Sequence, residues 1–278
     1  MAESFVMQKP ATTLLLKPRK QSKNIRILTL RTPSGLSGDM LISGLSQLAR
    51  IDNAALGEIV DLIGVPELAG SLSVATHSVN DISGWQAQVS LPHEHAHRRL
   101  DAILAIIESS RLQPGAKKIA ANTFQILAEA EAKVHGIAVA DVAFHEVGAL
   151  DSILDICVAA ALLDTLSPAE IFCSPLPLCD GVIRCEHGLI ASPAPAVQEM
   201  LKGVPVYGID SQGETVTPTA LAFLLGAGAR FGNWPRMVVK SVVRAYGGRI
   251  LPGIPNGAIF ALGTESAAIN RDDQLNSR

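Results

Sequence analysis

Apolar residues recur along the chain with two spacings: alternation over short stretches, and a repeat every three to four residues over longer ones. Alternation predicts strands, and the longer repeat predicts helices that bury one face. The predicted strands are residues 24–30, 71–80, 84–91, 204–207, 237–245 and 258–262. The predicted helices begin near residue 41 and then cover residues 54–63, 100–108, 117–134, a segment ending near 166, and residues 193–202 and 217–225. This mixture predicts an α+β fold with mixed β-sheets covered by helices, and we expect the functional loops at one edge.

The composition indicates a tightly packed protein without a strong charge of either sign. Of the 278 residues, 48% are apolar and 18% are charged, and the formal net charge is −3. No apolar run reaches the roughly 18 residues that a membrane span needs. A basic surface for nucleic acid is also not indicated by this charge balance. We therefore expect neither a membrane nor a nucleic acid as partner.

Three regions differ in composition. Residues 1–24 are basic after Glu3 and are expected to form a flexible extension, residues 25–263 form the folded region, and residues 264–278 form a polar tail. The apolar run within residues 14–16 is too short for a signal peptide. We therefore expect a cytoplasmic protein whose four cysteines are reduced.

The segment 144–155 concentrates groups that bind cations. It contains His145, Glu146, Asp151 and Asp155 and continues directly into one of the most apolar parts of the chain. Asp151 and Asp155 are four residues apart, so on a helix they share a face, where two carboxylates repel each other. A divalent cation, an arginine or a cationic ligand between them would relieve that repulsion. Alternatively, Asp151 marks an ordinary helix start and His145 is a core histidine.

Histidines supply further candidate metal ligands. Three of the seven histidines fall within residues 93–97 at alternate positions, which point to the same side of an extended chain. Neutral imidazole suits Ni²⁺, Zn²⁺, Cu²⁺ and Co²⁺, although short histidine tracts are also common on surfaces. The candidate metal ligands are His93, His95, His97, His145, Glu146, Asp151, Asp155 and His187.

Two segments have the pattern of anion-binding turns before helices. One follows the first predicted strand at residues 33–40, and the other lies at residues 213–220. Glycines there let backbone N–H groups point inward, and a helix N-terminus adds partial positive charge. Ordinary turns with Ser37, Asp39 or Thr217 as N-caps are the alternative. The candidate phosphate- or ligand-binding residues are Ser34, Gly35, Ser37, Gly38, Asp39, Glu214, Thr217 and Thr219.

Together these segments resemble the nickel-insertion protein family of nickel-pincer cofactor biosynthesis, the LarC type. The matching segments follow the family's order from about residue 25 to residue 263: residues 34–40, 93–97, 128–136, 144–155, 187–188, 193–196, 213–219 and 252–256. The resemblance implies insertion of Ni²⁺ into a pyridinium mononucleotide with consumption of CTP. It covers the family's N-terminal region only. CTP is therefore expected only with a separate C-terminal domain or a partner that carries one.

The chain also departs from the family pattern. Arg31 stands where an acid is usual, Ala143 where a histidine is usual, and Ala220 where a glycine is usual. A cation at position 31 and a lost imidazole at position 143 are expected to weaken a metal site. Two alternatives therefore stand beside nickel insertion: a divergent, non-enzymatic paralogue that serves as metal chaperone or partner subunit, and a metal-dependent hydrolase using His145, Asp151 and Asp155.

Overall fold

The computed structural model describes residues 25–91, 98–144, 150–185, 188–251 and 253–266. The helices are α1 (Gly38–Ala49), α2 (Asn53–Ile63), α3 (Leu100–Ser109), α4 (Pro114–His135), α5 (Leu150–Leu166), α6 (Pro195–Met200) and α7 (Pro218–Gly226). The strands are β1 (Arg26–Arg31), β2 (Leu72–Val79), β3 (Ile82–Val89), β4 (Arg98–Arg99), β5 (Ala143–Phe144), β6 (Glu170–Cys173), β7 (Leu176–Leu178), β8 (Val182–Cys185), β9 (Gly188–Ala191), β10 (Val206–Gly208), β11 (Arg230–Phe231), β12 (Met237–Tyr246) and β13 (Ala258–Glu265).

A mixed sheet of seven strands organises the fold, in the order β11-β6-β1-β13-β12-β3-β2. β1 runs parallel to β6 and antiparallel to β13, and β12 is antiparallel to β13 and parallel to β3. β1 and β12 therefore end at the same end of the sheet. The loops that follow these two strands meet there, at the edge where functional loops were expected.

Side chains of β1 alternate between the two faces of the sheet. Leu28 and Leu30 are buried in the main hydrophobic core. Thr29 and Arg31 point to the opposite face, because neighbouring strand residues alternate. There the Arg31 guanidinium donates to Thr29 Oγ1 and to the carbonyl of Gly232 at 2.8 Å, and it lies 5.1 Å from the ring centre of Trp234.

The helices form two layers on the core side of the sheet. α1 packs on β3, β12 and β13, and α5 packs between α1 and α4. Most residues of α5 are buried, which explains the long apolar run in its middle, since a helix segment covered on all sides has no polar face. α4 then carries α3, α6 and α7 on its other sides.

The structure confirms the predicted α+β class and the longer predicted elements. The hairpin of β2 and β3 forms with full pairing from Leu72 to Val89. Sequence reasoning did not single out the short strands β4, β5 and β11, whose two residues each carry too little alternation to be read. Among the described residues, no helix is long and apolar enough to cross a membrane.

The approach of α1 to the sheet gives a test of this packing. A Cβ placed on Gly44 of α1 would lie 2.5 Å from ring atoms of Phe260 in β13, which is too close for real atoms. We expect Gly44→Ala to lower the free energy of unfolding by about 1–3 kcal/mol, because the core must move to accept it. Urea denaturation followed by circular dichroism measures the change.

Gly57 in the middle of α2 is the matched control. A Cβ there meets nothing within 4 Å. Gly57→Ala is expected to raise the free energy of unfolding by about 0.5–1 kcal/mol, since alanine lowers the backbone entropy lost on folding. Equal effects of the two substitutions would contradict the described packing of α1.

Candidate functional site

The two predicted anion-binding segments are joined directly in the structure. Leu36 and Val216 form a parallel β-bridge, in which the Leu36 amide donates to the Thr215 carbonyl at 2.9 Å and the Thr217 amide donates to the Leu36 carbonyl at 3.1 Å. A Cβ on Gly35 would lie 1.6 Å from the Thr215 oxygen, so only glycine permits this approach. The N-terminal ends of α1 and α7 are thereby brought side by side.

A third segment, the loop between β12 and β13, closes the same site. The Gly248 amide donates to Oδ2 of Asp39 at 3.1 Å, and the Gln86 side chain donates to the Gly247 carbonyl at 2.9 Å. Asn256 holds the far part of the loop by accepting from the Leu251 amide at 2.9 Å and donating to the Leu251 carbonyl at 2.7 Å. The loop is therefore fixed against the start of α1.

These three segments surround a cavity of about 290 Å³. Its size is at the lower end of the range for small-molecule sites. The lining combines hydroxyl groups, two acids, one guanidinium and loop backbone. The residues are Ser34, Ser37, Asp39, Met40, Glu214, Thr215, Thr217, Tyr246, Gly247, Gly248, Arg249, Leu251, Asn256 and Gly257. Such a lining suits a polar ligand that carries charge.

Most of the predicted ligand-binding residues reach this cavity. Ser34, Ser37, Asp39, Glu214 and Thr217 line it. Gly35, Gly38 and Thr219 are not among the described lining residues; the two glycines allow the chain segments to approach each other. The predicted N-cap Thr217 is confirmed, since its Oγ1 accepts from the Ala220 amide at 3.3 Å.

Sequence reasoning noted residues 252–256 as part of the resemblance but assigned no site role to the cavity wall that follows β12. Tyr246, Gly247, Gly248, Arg249 and Asn256 all line the cavity. The glycine pair before Arg249 and the Asn-Gly pair before β13 were the available signals. Neither has a spacing that identifies a ligand by itself, so the cavity wall became apparent only when the sheet aligned β12 with β1.

A buried carboxyl group lies immediately beside the start of α1. Oδ2 of Asp155 in α5 lies 2.0 Å from the point that a Cβ on Gly38 would occupy. Its other oxygen, Oδ1, is buried and has no hydrogen-bond partner among the described residues. Burial, followed by the charges of Asp39 and Asp151, holds the pKa of the Asp155 carboxyl well above its usual value. We call Asp39, Asp151 and Asp155 the acidic corner.

Asp39 is largely committed to local hydrogen bonds. Its Oδ1 accepts from the Ser37 hydroxyl and from the Met40 amide, and its Oδ2 accepts from the Gly248 amide. A carboxylate with these partners organises the loop and repels a phosphate at close range. These contacts indicate that Asp39 holds the loop between β12 and β13 against the start of α1.

Arginine does not compensate the charge of Asp155 among the described residues. Only burial and the other two acids influence its pKa, and no cation does so. The Arg31 side chain instead bonds to the Gly232 carbonyl on the other face of β1. The expectation that Arg31 weakens a metal site stays a prediction.

The histidine-bearing predictions fall mainly outside the described residues. His93, His95, His97, His145, Glu146 and His187 all lie there. Arg98 and Phe144, which directly adjoin two of these segments in the chain, are paired across β4 and β5. Among the described residues alone, no group of three or more His, Cys, Asp or Glu residues could hold a metal ion.

The described thiols are packing residues. Cys157, Cys173 and Cys179 are free and buried. Burial raises the pKa of the Cys157 and Cys173 thiols to about 12, so both stay protonated at neutral pH. A thiol must lose its proton to bind a metal well. These two cysteines are therefore unsuited to hold one.

The fold and the site define an α+β protein whose ligand cavity adjoins a buried carboxyl group. The family model described as Nickel insertion protein matches residues 28–276. Curated relatives named as nickel insertion proteins agree with it: the chain is 36% identical over 249 residues to one from Geotalea daltonii and 38% identical over 249 residues to one from Geobacter sulfurreducens. The chain belongs to the nickel insertion protein family.

The matched part is most of this chain and a smaller part of each relative. The two alignments each cover 90% of this chain and 64% of the relative. A relative from Dictyoglomus thermophilum is 39% identical over 191 residues, which is 69% of this chain and 49% of that protein. No solved structure matches the chain.

The acidic corner predicts a specific dependence of stability on pH. A carboxyl whose pKa is raised by folding binds its proton more tightly in the folded state, so stability falls as the pH rises from the unfolded pKa through the folded one. Asp155→Asn removes this charge. We therefore expect the variant to be more stable than the original protein at pH 8 in EDTA, with the difference shrinking towards pH 4. Urea denaturation across this pH range measures it.

Asp61→Asn is the control, because Asp61 is an exposed carboxyl on α2. It is expected to change stability by less than about 0.5 kcal/mol at every pH. A stability loss in Asp155→Asn that is the same at pH 4 and pH 8 would show that Asp155 acts through packing rather than charge.

Proposed function

We propose that this chain binds Ni²⁺ as a substrate and takes part in its insertion into pyridinium-3,5-bisthiocarboxylic acid mononucleotide, giving the nickel-pincer cofactor. Family membership supports the nickel-handling part of this proposal. The observation that carries it in this chain is Oδ1 of Asp155, which has no hydrogen-bond partner among the described residues and feels the charges of Asp151 and of Asp39, a residue of the cavity lining.

A cation bound in the functional state would explain why three carboxyl groups lie together in the acidic corner. A buried carboxylate without a hydrogen bond or an opposite charge is costly, and nearby like charges increase that cost. A divalent cation would turn the same arrangement into an attractive one. Carboxylate oxygen is a harder donor than imidazole, so the corner assists or bridges the metal while histidines bind it more strongly.

The order of segments along the chain supports a role for the histidines in this proposal. Phe144 in β5 precedes Leu150 at the start of α5 by six positions, and Asp151 follows directly. The same β5 pairs with β4, which follows the histidine tract in the chain. In our proposal His145 and Glu146, together with His93, His95 and His97, bind the ion, and Asp151 and Asp155 complete its surroundings.

The proposal includes CTP only in combination with a further domain or a partner chain. Relatives extend well beyond the part that this chain matches. We propose that CTP is used, in a nickel chelatase-type lyase reaction, together with a further domain or a partner chain. A metal chaperone or partner subunit is the second candidate, and Ala143, at a position where the resemblance leads us to expect a histidine, favours it.

Nickel binding is the first test. Isothermal titration calorimetry of the chain without a His tag is expected to show Ni²⁺ binding that weakens about 10- to 100-fold in Asp155→Asn. His145→Ala and the triple alanine variant of His93, His95 and His97 are expected to weaken it at least as much, because imidazole is the stronger donor for nickel. Asp61→Asn is expected to bind like the original chain. Unchanged affinity in all three site variants would disprove the nickel site.

The insertion reaction separates the two candidate functions. The purified chain is incubated with the mononucleotide, Ni²⁺ and CTP, and product is followed by its absorption and by mass spectrometry. Product formed only when a complete relative is added supports the role of chaperone or partner. Product formed by the chain alone excludes that role.

A further inference from the structure

Protein side chains occupy part of each helix N-terminus at the cavity. In α1 the Met40 amide is bound to Asp39 Oδ1 at 2.9 Å, which also places a carboxylate at the helix start. In α7 position 218 is a proline without an N–H group, and the Ala220 amide is bound to Thr217 Oγ1 at 3.3 Å. Both helix ends are thereby made less attractive to an anion. Attraction for a negatively charged group must come chiefly from another part of the wall.

Arg249 is the cationic side chain in the described lining of the cavity. Within the part of the chain that the structure describes, its guanidinium forms no ion pair or hydrogen bond, whereas Arg230 pairs with Glu170 at 2.9 Å. Asp39 lies in the same lining, but its carboxylate already accepts from three donors. The N–H donors of the Arg249 guanidinium are therefore available to a ligand that enters the cavity.

Hydrogen bonds hold the backbone on both sides of Arg249. Gly248 is bound to Asp39, and Gly247 is bound to Gln86. On the other side, the Asn256 side chain bonds to both backbone groups of Leu251. A binding group on a held loop loses less conformational freedom when the ligand arrives than one on a free segment does.

We propose that Arg249 binds an oxyanion, the phosphate or carboxylate group of the ligand in this cavity, with the Ser34 and Thr217 hydroxyls facing the same space. A planar guanidinium matches the two oxygens of either group by paired hydrogen bonds. The inference deepens the proposed function and rests on it only in taking this cavity as the ligand site. It makes Arg249 the residue that selects anionic ligands and places them beside the acidic corner.

Nuclear magnetic resonance tests the proposal without requiring the natural ligand. Inorganic phosphate and acetate are titrated separately into the ¹⁵N-labelled chain, with sodium chloride added to equal ionic strength as the reference. The Arg249 Nε–H and Gly248 amide signals are expected to shift with at least one of the two anions. Comparing the two titrations distinguishes phosphate from carboxylate as the preferred group.

Two variants decide the outcome. Arg249→Gln is expected to weaken binding of that anion about tenfold or more, the usual scale for a charge-assisted hydrogen bond. Arg236→Gln removes an equal charge from an exposed position outside the cavity lining and is expected to leave binding unchanged. Absence of any shift with both anions, or equal weakening by the two variants, would overturn the proposal.

Nickel titration of the same variants keeps this proposal separate from the proposed function. Arg249→Gln is expected to bind Ni²⁺ with unchanged affinity, because the residue contacts the anion rather than the metal. Anion binding that depends on Arg249 in a chain that does not bind nickel would support this inference while refuting the nickel site. If the chain binds nickel but its response to the anion does not depend on Arg249, the nickel site is supported and this inference is refuted.

Discussion

The burial of the Asp155 carboxyl group against the start of α1 is the constraint on which the site depends. α5 is the central helix of the fold and is apolar along almost its whole length. Asp155, the second of two acids near its beginning, lies against Gly38 and so connects the acidic corner to the start of α1. Because unpaired buried charge is so unfavourable, this arrangement links the stability of the fold to what occupies the site.

The cavity itself is a product of long-range pairing. The bridge between Leu36 and Val216 and the hydrogen bond from Gly248 to Asp39 each join segments that are far apart in the chain. The bridge uses backbone groups alone, whereas the second contact also requires the Asp39 carboxylate. The position of the cavity wall therefore depends on that side chain as well as on backbone pairing, and Arg249 is left available for the ligand.

Regular periodicity made much of the fold predictable. The hairpin of β2 and β3, helices α2 and α4, and the proline-started helix α7 were all predicted from their spacing and end signals. Very short strands were not, because two residues contain no period. For the candidate site, the two glycine-containing segments were identified, whereas Arg249 was missed because an isolated arginine after two glycines has no distinctive pattern.

The sequence by itself determined the fold class, the position of most helices and long strands, and the family to which the chain belongs, because these follow from local spacing and from short ordered motifs. Tertiary structure decided which of those motifs touch. It joined residues 34–39 to residues 214–217, assigned Arg31 to the opposite face of the sheet, and placed Asp155 beside Asp39. Such contacts depend on strand order and helix packing, which are properties of the whole chain rather than of any one segment.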